Sequence, residues 1–406
     1  MKKLIILVSL IALLASGMAF AQLTYNGRVY YGAISNFEDA PGIGWDLRSI
    51  FTFKVDDFNT AVTRIRMRNF GTSTALYGGT AGVQNEWADF WLLSSDSPFV
   101  DRAFLTTNIT GALGMKDGPV TAVMNTGYYW VFLDDLSDGV SPFDVADVTQ
   151  MDLGTGGKQA VFDLNLNFVK MVDLRVSVAP NDNKTVKSGG WKVVAGANIP
   201  VGPGKLYPQF TYGVPQGNGP NVTASEGTII FAAKYTQAMG DIGLTLVPAF
   251  RYNLDDKVNG GNLAAPQAKY KNADNEVIQY YYALAGAVQY AKLANFKFGF
   301  LGYDGSAANR LEANLLLTPV PQFGVEVGTI INLDQDEYKV GTAKSALQVI
   351  DIGAFVMAGR TRFKFGYIAL GKEGFADPLN TDLSEIGRGA SSLKQGGMYF
   401  ETAVSF

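Results

Sequence analysis

The sequence predicts an all-β chain that forms a transmembrane antiparallel up-and-down β-barrel of about 18 strands, with 16 as the alternative. Three observations predict it: stretches that alternate between apolar and polar residues, connections that alternate between short and long, and an N-terminal segment typical of exported proteins. Alternation with period two places successive side chains on opposite faces of a strand. Bacterial membrane barrels have an even strand number, short turns at one end and longer loops at the other.

The alternating stretches carry all of their charged residues on one face. Examples are FDLNLNF at 162–168, VDLRVSV at 172–178 and RTRFKFGYI at 360–368. A soluble β-sandwich turns its polar face to water, whereas a membrane barrel turns its apolar face to lipid and its polar face to a wet interior. Alternation alone leaves both open. The export segment, the strand count and an aromatic C-terminus favour the barrel.

Proline and glycine punctuate the chain and set the predicted strand boundaries. The predicted strands are 23–34, 46–55, 60–70, 102–110, 119–130, 158–168, 172–179, 190–198, 205–212, 227–237, 241–253, 276–290, 295–303, 309–317, 322–332, 346–357, 360–370 and 397–406. Short connections such as 238–240 and 358–359 alternate with long ones such as 71–101 and 371–396. The segment 85–93 is assigned to a loop, because counting it as a strand breaks this parity.

The first 21 residues have the features of a secretory signal peptide. Two lysines precede an apolar core from Leu4 to Leu14, and Ala19-Phe20-Ala21 matches an A-x-A cleavage site. An uncleaved anchor is the alternative, but the apolar core is short for a membrane span. We therefore expect cleavage after residue 21 and a single barrel domain over 22–406.

Composition excludes several kinds of chemistry. The chain has no cysteine and no histidine, which removes disulfides, thiolate nucleophiles, zinc-thiolate sites and histidine-based catalysis. Lys2 and Lys3 leave with the signal peptide, so 31 basic and 37 acidic residues remain, a net charge of −6. This balance does not favour nucleic acid as a partner. With no paired-carboxylate motif, we expect no enzyme, no metal and no cofactor.

The C-terminal nonapeptide MYFETAVSF alternates to its last residue, and here the chain resembles a known family. Over essentially its whole mature length it is similar to the bacterial outer-membrane general porins, which are trimeric β-barrels. The resemblance implies an assembly signal, read by the barrel-assembly machinery, at Met398, Phe400, Val404 and Phe406. Thr402 is a more polar residue than this pattern usually has. The resemblance also implies an outer-membrane location, contact with membrane lipid and a homotrimer.

A set of basic residues on the polar faces of the first four strands is the first candidate site. Arg64, Arg66 and Arg68 share one face of one strand. The full set, named the basic wall, is Arg28, Arg48, Lys54, Arg64, Arg66, Arg68 and Arg102. Guanidinium groups facing lipid are costly, so these residues are expected to line the interior. The alternative is an ordinary solvated face that nearby acids neutralise.

An acidic loop after the fifth strand is the second candidate site. Residues 131–157 contain no basic residue and six aspartates, which are Asp134, Asp135, Asp138, Asp144, Asp147 and Asp152. In the general porins the third long loop folds into the barrel and narrows it opposite a basic wall, and by position this is the third long loop. An acidic surface loop and a divalent-cation site are the alternatives, although the spacing does not match an EF-hand.

Together these features predict a water-filled pore for passive diffusion of small hydrophilic solutes and ions. The alternative is a substrate-selective channel for phosphate-like anions or sugars. Arginines 64, 66 and 68 would then form a ladder for anions, whereas Tyr30, Tyr129 and Tyr207, aromatic residues on polar faces, would suit sugars. A structural surface protein is a further hypothesis, but the sequence has no internal repeat.

Overall fold

The computed structural model describes residues 22–35, 42–69, 100–115, 118–129, 140–141, 159–169, 171–180, 191–214, 226–253, 280–303, 309–333, 347–370 and 396–406. The signal peptide, the segment 85–93 and all six loop aspartates lie outside these residues. None of the described helices is long and apolar enough to cross a membrane.

The described residues contain 18 strands and one short helix, so the predicted strand number is confirmed and the alternative of 16 is not. The strands are β1 (Gln22–Ser35), β2 (Gly42–Lys54), β3 (Asn59–Asn69), β4 (Val100–Asn108), β5 (Val120–Tyr129), β6 (Gln159–Phe168), β7 (Val172–Pro180), β8 (Trp191–Val201), β9 (Gly204–Val214), β10 (Glu226–Met239), β11 (Ile242–Asn253), β12 (Tyr280–Tyr290), β13 (Ala294–Tyr303), β14 (Arg310–Val320), β15 (Phe323–Asn332), β16 (Leu347–Ala358), β17 (Thr361–Leu370) and β18 (Gly396–Ser405).

Each strand pairs antiparallel with the next one along the chain, and β18 pairs back with β1. At this seam Arg28 lies opposite Ser405 and Ser35 opposite Met398. The seam extends to the last residue, because Gly27 and Phe406 exchange two backbone hydrogen bonds of 2.9 and 3.1 Å. The sheet is therefore closed, and closure removes the unpaired edges that an open sheet presents.

The two faces of this closed sheet have the polarity predicted for a membrane barrel. On β6 the outward Phe162 is 68% exposed, whereas its neighbour Asp163 is fully buried. On β14 the buried residues include Glu312 and Asn314, and the exposed ones include Leu315 and Leu317. Apolar side chains thus cover the outside and many charged side chains lie inside, the reverse of a soluble sandwich.

The described turns are short, as predicted for one end of the barrel, and one of them contains a helical turn that the sequence did not predict. The turn between β16 and β17 contains only two residues, and Gly359 has the positive φ of 62° that such a tight turn requires. The predicted strand 102–110 ends two residues early, because Asn108 caps a helical turn, α1 (Ile109–Ala112). The Asn108 side chain accepts a hydrogen bond of 2.9 Å from the Gly111 amide, and this local bond competes with continuation of the strand.

Candidate functional site: the inner wall of the barrel

The register of the first four strands brings the predicted basic residues together. Arg28 lies opposite Arg48, and Arg48 lies opposite Arg66, so three arginines form a row across β1, β2 and β3. A second row pairs Arg64 with Arg102 across β3 and β4. Directly opposed residues share a face, so most of the basic wall is one contiguous surface.

Asp46 is a carboxylate within this basic surface that the sequence reading did not single out. Its side chain is fully buried and accepts hydrogen bonds from Arg48 Nε at 2.6 Å and from Arg66 Nε and Nη2 at 2.9 and 2.8 Å. The signal was available, because Asp46 precedes Arg48 by two residues and therefore lies on the same face. One carboxylate thus partly neutralises the row of three arginines, which agrees in part with the alternative of a neutralised face.

The Arg64–Arg102 row brings two like charges directly opposite each other. Both side chains are half-buried, and the Nε atom of Arg102 is buried with no hydrogen-bond acceptor among the described residues. Lys54, by contrast, lies at the turn end of β2, is half exposed and pairs with Asp57 at 2.9 Å. Arg68 lies opposite Asp46 in the backbone register, and its side chain is outside the described set.

A second charged surface, which the sequence reading did not predict as a unit, lies on β14 to β18. We name it the acidic wall: Glu312, Glu326, Asp351 and Glu401, together with Lys364 and Tyr399. Lys364 Nζ lies 3.1 Å from Glu326 Oε2 and 3.6 Å from Asp351 Oδ2. The Tyr399 hydroxyl donates to Asp351 Oδ1 at 2.8 Å, and the amide of Asn314 donates to Glu326 Oε1 at 2.9 Å.

Two glycines make room for the tyrosine of the acidic wall. A Cβ atom at Gly353 or at Gly366 would lie 2.5 Å from the Tyr399 hydroxyl oxygen. The ring therefore lies across β17 and β16, and it reaches an aspartate two strands away. Glu401 is 6% exposed, and its Oε1 has no hydrogen-bond donor among the described residues. The acidic wall is packed and mostly buried.

One residue pair of the acidic loop is described, and it contacts the acidic wall. Val140 and Ser141 are both buried, and Ser141 Oγ donates a hydrogen bond to Glu312 Oε1. Glu312 lies over Gly299 of β13, where any Cβ atom would meet its carboxylate. The loop leaves the barrel after β5, and β14 is nine strands further along the closed sheet. This contact therefore joins the loop to the opposite wall.

The inner face of β8 to β13 combines buried aliphatic side chains with partly exposed basic ones, Lys234, Arg251 and Lys297. Its buried side chains are mainly aliphatic, and we name them the aliphatic wall: Val194, Ile230, Ala232, Val247, Ala249, Ala283, Ala285 and Leu301. On β9 a buried aromatic side chain, Tyr207, and a buried amide side chain, Gln209, interrupt the aliphatic wall. Between the aliphatic and basic walls, Asp163 accepts from Arg175 at 2.8 Å and from Ser177 at 2.6 Å.

The residues predicted as an assembly signal lie on the outer face. Met398 is 53% exposed, and Phe400 and Phe406 are each 38% exposed, whereas Tyr399 between the first two is buried. Val404 is half-buried on the same face. Of the three tyrosines considered for sugars, Tyr30 and Tyr207 are buried on the inner face, and the Tyr129 side chain lies outside the described set.

No protein-family model matches the chain, and no curated protein matches its sequence. Solved structures are similar in fold. A BenF-like porin from Pseudomonas fluorescens Pf-5 aligns over 95% of this chain and 98% of its own, with a TM-score of 0.52 and 10% identity. Pseudomonas aeruginosa OccK8 (OprE) aligns over the same shares of the two chains, with a TM-score of 0.53 and 9% identity. The chain therefore has the closed antiparallel barrel fold of the bacterial porins.

Proposed function

We propose that the chain is a channel of the bacterial outer membrane that lets small hydrophilic solutes and ions diffuse passively through a water-filled interior. The observation that carries this proposal is the polarity of the closed sheet, apolar outside and charged inside. A closed barrel satisfies its backbone hydrogen bonds in lipid, where an open sheet cannot. Charged groups along the interior offer solutes a polar path that the bilayer lacks.

The route to the membrane follows from the same proposal. Residues 1–21 are removed on export, residues 22–406 form one barrel domain, and the outward Met398, Phe400, Val404 and Phe406 are read by the barrel-assembly machinery. The mature protein forms a homotrimer through outward residues near the seam, such as Tyr31 and Met398. Replacing Phe406 with serine is expected to reduce barrel assembly without reducing secretion across the inner membrane. The oligomeric state is tested separately, and a monomeric mass in mild detergent would contradict the trimer.

We further propose that loop 131–157 folds inward and narrows the channel, with its six aspartates facing the basic wall. Support comes from the hydrogen bond between Ser141 and the buried Glu312 on the far side of the barrel. A loop that crosses the enclosed space from β5 would reach β14 in this way. The basic wall and the loop acids then produce a transverse field, which is strong where water is restricted.

Single-channel recordings in planar bilayers with a salt gradient test the proposal. The refolded barrel should give stepwise conductance and a reversal potential that depends on the wall charges. Replacing Asp134, Asp135 and Asp138 with asparagine should shift ion preference toward anions. Asp241→Asn, at the exposed turn between β10 and β11, is the matched control and should leave the preference unchanged. A folded barrel that gives no conductance steps contradicts the channel, and a loop variant that behaves like the control contradicts the inward loop.

A substrate-selective channel is the second candidate function. Arg64 and Arg102, directly opposed across β3 and β4, favour phosphate-like anions, whereas the inner-face rings of Tyr30 and Tyr207 favour sugars. Inorganic phosphate that reduces chloride conductance at low concentration would support an anion-selective channel. Reduction of the conductance by a neutral disaccharide would support the sugar channel. Equal permeability to all small solutes would leave the passive pore as the function.

A further inference from the structure

The glutamine that interrupts the aliphatic wall is a buried amide without a hydrogen-bond partner in the part of the chain that the structure describes. Gln209 is 2% exposed. Its Oε1 and Nε2 atoms are both buried, and neither bonds to any of the described residues. An amide that leaves water without new hydrogen bonds reduces the stability of the fold. Because native proteins rarely leave such groups unpaired, this one requires an explanation.

The surroundings of Gln209 would suit an apolar side chain. Ile230, directly opposite on β10, is fully buried, and Val194 on β8 is 1% exposed. A leucine at position 209 would continue the aliphatic wall and would remove two unpaired polar atoms. The amide therefore does not serve the packing of this wall, and an unpaired donor and acceptor that face the barrel interior indicate a role in binding.

A second unpaired amide oxygen lies next to the first amide. Gly196 on β8 is directly opposite Gln209, and Asn198 lies two residues further along β8 on the same face. Asn198 is 9% exposed, and its Oδ1 atom is buried without a donor among the described residues. Diagonal neighbours on adjacent strands are within reach of long side chains. We name Gln209, Asn198 and Gly196 the amide site.

The amide site has room for a small solute, and the positions next to its glutamine carry no charge. Gly196 has no side chain and is partly exposed, which leaves space beside the Gln209 amide. An ion would lose its hydration there without gaining a directly adjacent counter-charge. The expected ligand is therefore neutral. The positions next to Gln209 are Gly196 and Ile230 on the neighbouring strands and Tyr207 and Thr211 on its own strand.

We propose that the amide site binds a neutral solute that presents a hydrogen-bond donor and an acceptor side by side, as a carboxamide or a vicinal diol does. The solute donates to Gln209 Oε1 and accepts from Gln209 Nε2, and Asn198 Oδ1 accepts a further hydrogen bond from it. The inference rests on the proposed channel function, because a water-filled interior is what brings solutes to this face. It gives the channel a subsite for neutral solutes, apart from the basic wall.

Ligand-observed NMR on the full barrel, refolded in detergent micelles, measures this binding without requiring conduction. The probes are D-glucose, N-acetylglycinamide and an analogue of the latter whose amide nitrogens are fully methylated. We expect glucose or N-acetylglycinamide to bind, which distinguishes a sugar from an amide as the solute, and the methylated analogue to bind neither site atom that needs a donor. Gln209→Leu should weaken binding about tenfold, the effect of losing two hydrogen bonds. Its urea midpoint should stay the same or rise.

Gln289→Leu is the matched control variant. Gln289 also lies on the inner face, on β12, but it is exposed and its Nε2 atom donates to the Ala291 carbonyl oxygen at 3.0 Å. Its replacement should leave probe binding unchanged. Should Gln209→Leu fail to fold, Asn198→Val takes its place under the same criteria, because it removes the other unpaired acceptor of the amide site.

Three outcomes overturn the proposal. The first is that neither glucose nor N-acetylglycinamide binds, as expected if ordered water alone satisfies the amide. The second is that Gln209→Leu binds the probe as tightly as the unsubstituted chain. The third is that weaker binding comes with a lower urea midpoint, which would make the role of Gln209 structural. A barrel that binds the probe through Gln209 but gives no conductance steps supports the amide site and contradicts only the channel.

Discussion

The basic wall on β1 to β4 and the acidic wall on β14 to β18 both line the barrel interior, and they are built differently. In the basic wall, the side chains of Arg48 and Arg66 keep 27% and 16% of their surface exposed while they share Asp46. In the acidic wall, Lys364 and Asp351 are exposed by only 3% and 2%. One wall presents charge to the enclosed space, and the other holds its charges within a packed network.

This difference separates charges that can act on a solute from charges that hold the wall together. Exposed ion pairs contribute little to stability and remain available to solvent and ions. Buried ion pairs contribute mainly through the penalty that follows when one partner is lost. We therefore expect substitutions in the acidic wall to act first on folding, and substitutions in the basic wall to act first on ion preference.

The largest expected effect is the loss of the buried lysine. Lys364→Met leaves Glu326 and Asp351 without their cation, at a cost of about 3–5 kcal/mol in the free energy of unfolding. Lys54→Met is the control, because Lys54 is half exposed in its pair with Asp57, and its loss should cost about 1 kcal/mol or less. Urea titrations of the refolded barrel, followed by heat-dependent gel migration, measure both. Equal costs would remove the distinction between the two walls.

The next effect concerns the aspartate of the basic wall. Asp46→Asn removes a carboxylate that accepts three hydrogen bonds from arginines, and bonds to charged groups contribute about 1.5–3 kcal/mol each. Asparagine keeps one acceptor oxygen, so only part of this contribution is lost, and we expect the free energy of unfolding to fall by about 2 kcal/mol. Ion preference should shift toward anions, since the wall gains one unit of positive charge. The reversal potential and the urea midpoint are measured on the same preparation. A shift toward cations would contradict the placement of this wall along the conduction path.

A smaller effect on stability, but a clear one on selectivity, is expected from the opposed arginines. Arg64→Gln with Arg102→Gln should shift ion preference toward cations and leave stability within about 1 kcal/mol, because the loss of charge also relieves the repulsion between two directly opposed guanidinium groups. Arg48→Gln with Arg66→Gln should also reduce stability, since Asp46 is left buried. Both shifts should decrease at 1 M salt, where screening acts over about 3 Å. If neither pair moves the reversal potential, the basic wall does not line the narrow part of a pore.

The strands, their parity and the two faces were predictable from the sequence because alternation and turn residues are local signals. FDLNLNF at 162–168 predicts the strand and puts Asp163 on its polar face, and the export segment and strand count then favour the barrel, in which that face lies inside. The common face of Arg64 and Arg66 was predictable for the same reason, by spacing alone, whereas their place along a pore stays a prediction. Asp46 was predictable in the same way, because it precedes Arg48 by two residues and therefore lies on the same face.

The acidic wall and the aliphatic wall depend on register, which local patterns do not set. Tyr399 reaches Asp351 across two intervening glycines, and nothing at 353 or 366 indicates this in the sequence. The alanines 283 and 285 are buried inside, while Tyr282 and Leu284 face outward, so hydrophobicity alone assigns both sets to lipid. The Ser141–Glu312 bond joins residues 171 positions apart, a separation that no spacing argument covers.

The smallest expected effect lies at an exposed turn, where neither wall takes part. Asp56 Oδ1 accepts hydrogen bonds from the amides of Phe58 and Asn59 at 2.7 and 2.8 Å. The Asn59 side-chain amide also donates to both oxygens of Asp56. These bonds favour the ionised carboxylate, and the pKa of Asp56 is lowered from its ordinary value of 3.8, first by the Asn59 side chain and then by the Phe58 amide.

A lowered folded-state pKa gives the sign of the pH dependence. The contribution of Asp56 is fully present above its unfolded pKa of 3.8 and is lost as the pH falls through the lower folded value. Asp56→Ala should therefore slightly reduce the urea midpoint at neutral pH and leave it unchanged well below the folded-state value. Asp56→Asn keeps an acceptor but cannot ionise, so its difference from Asp56→Ala should not depend on pH. If Asp56→Ala still lowers the urea midpoint in acid, the side chain stabilises this turn by packing and not by its charge. That outcome would leave the contrast between the two walls unchanged.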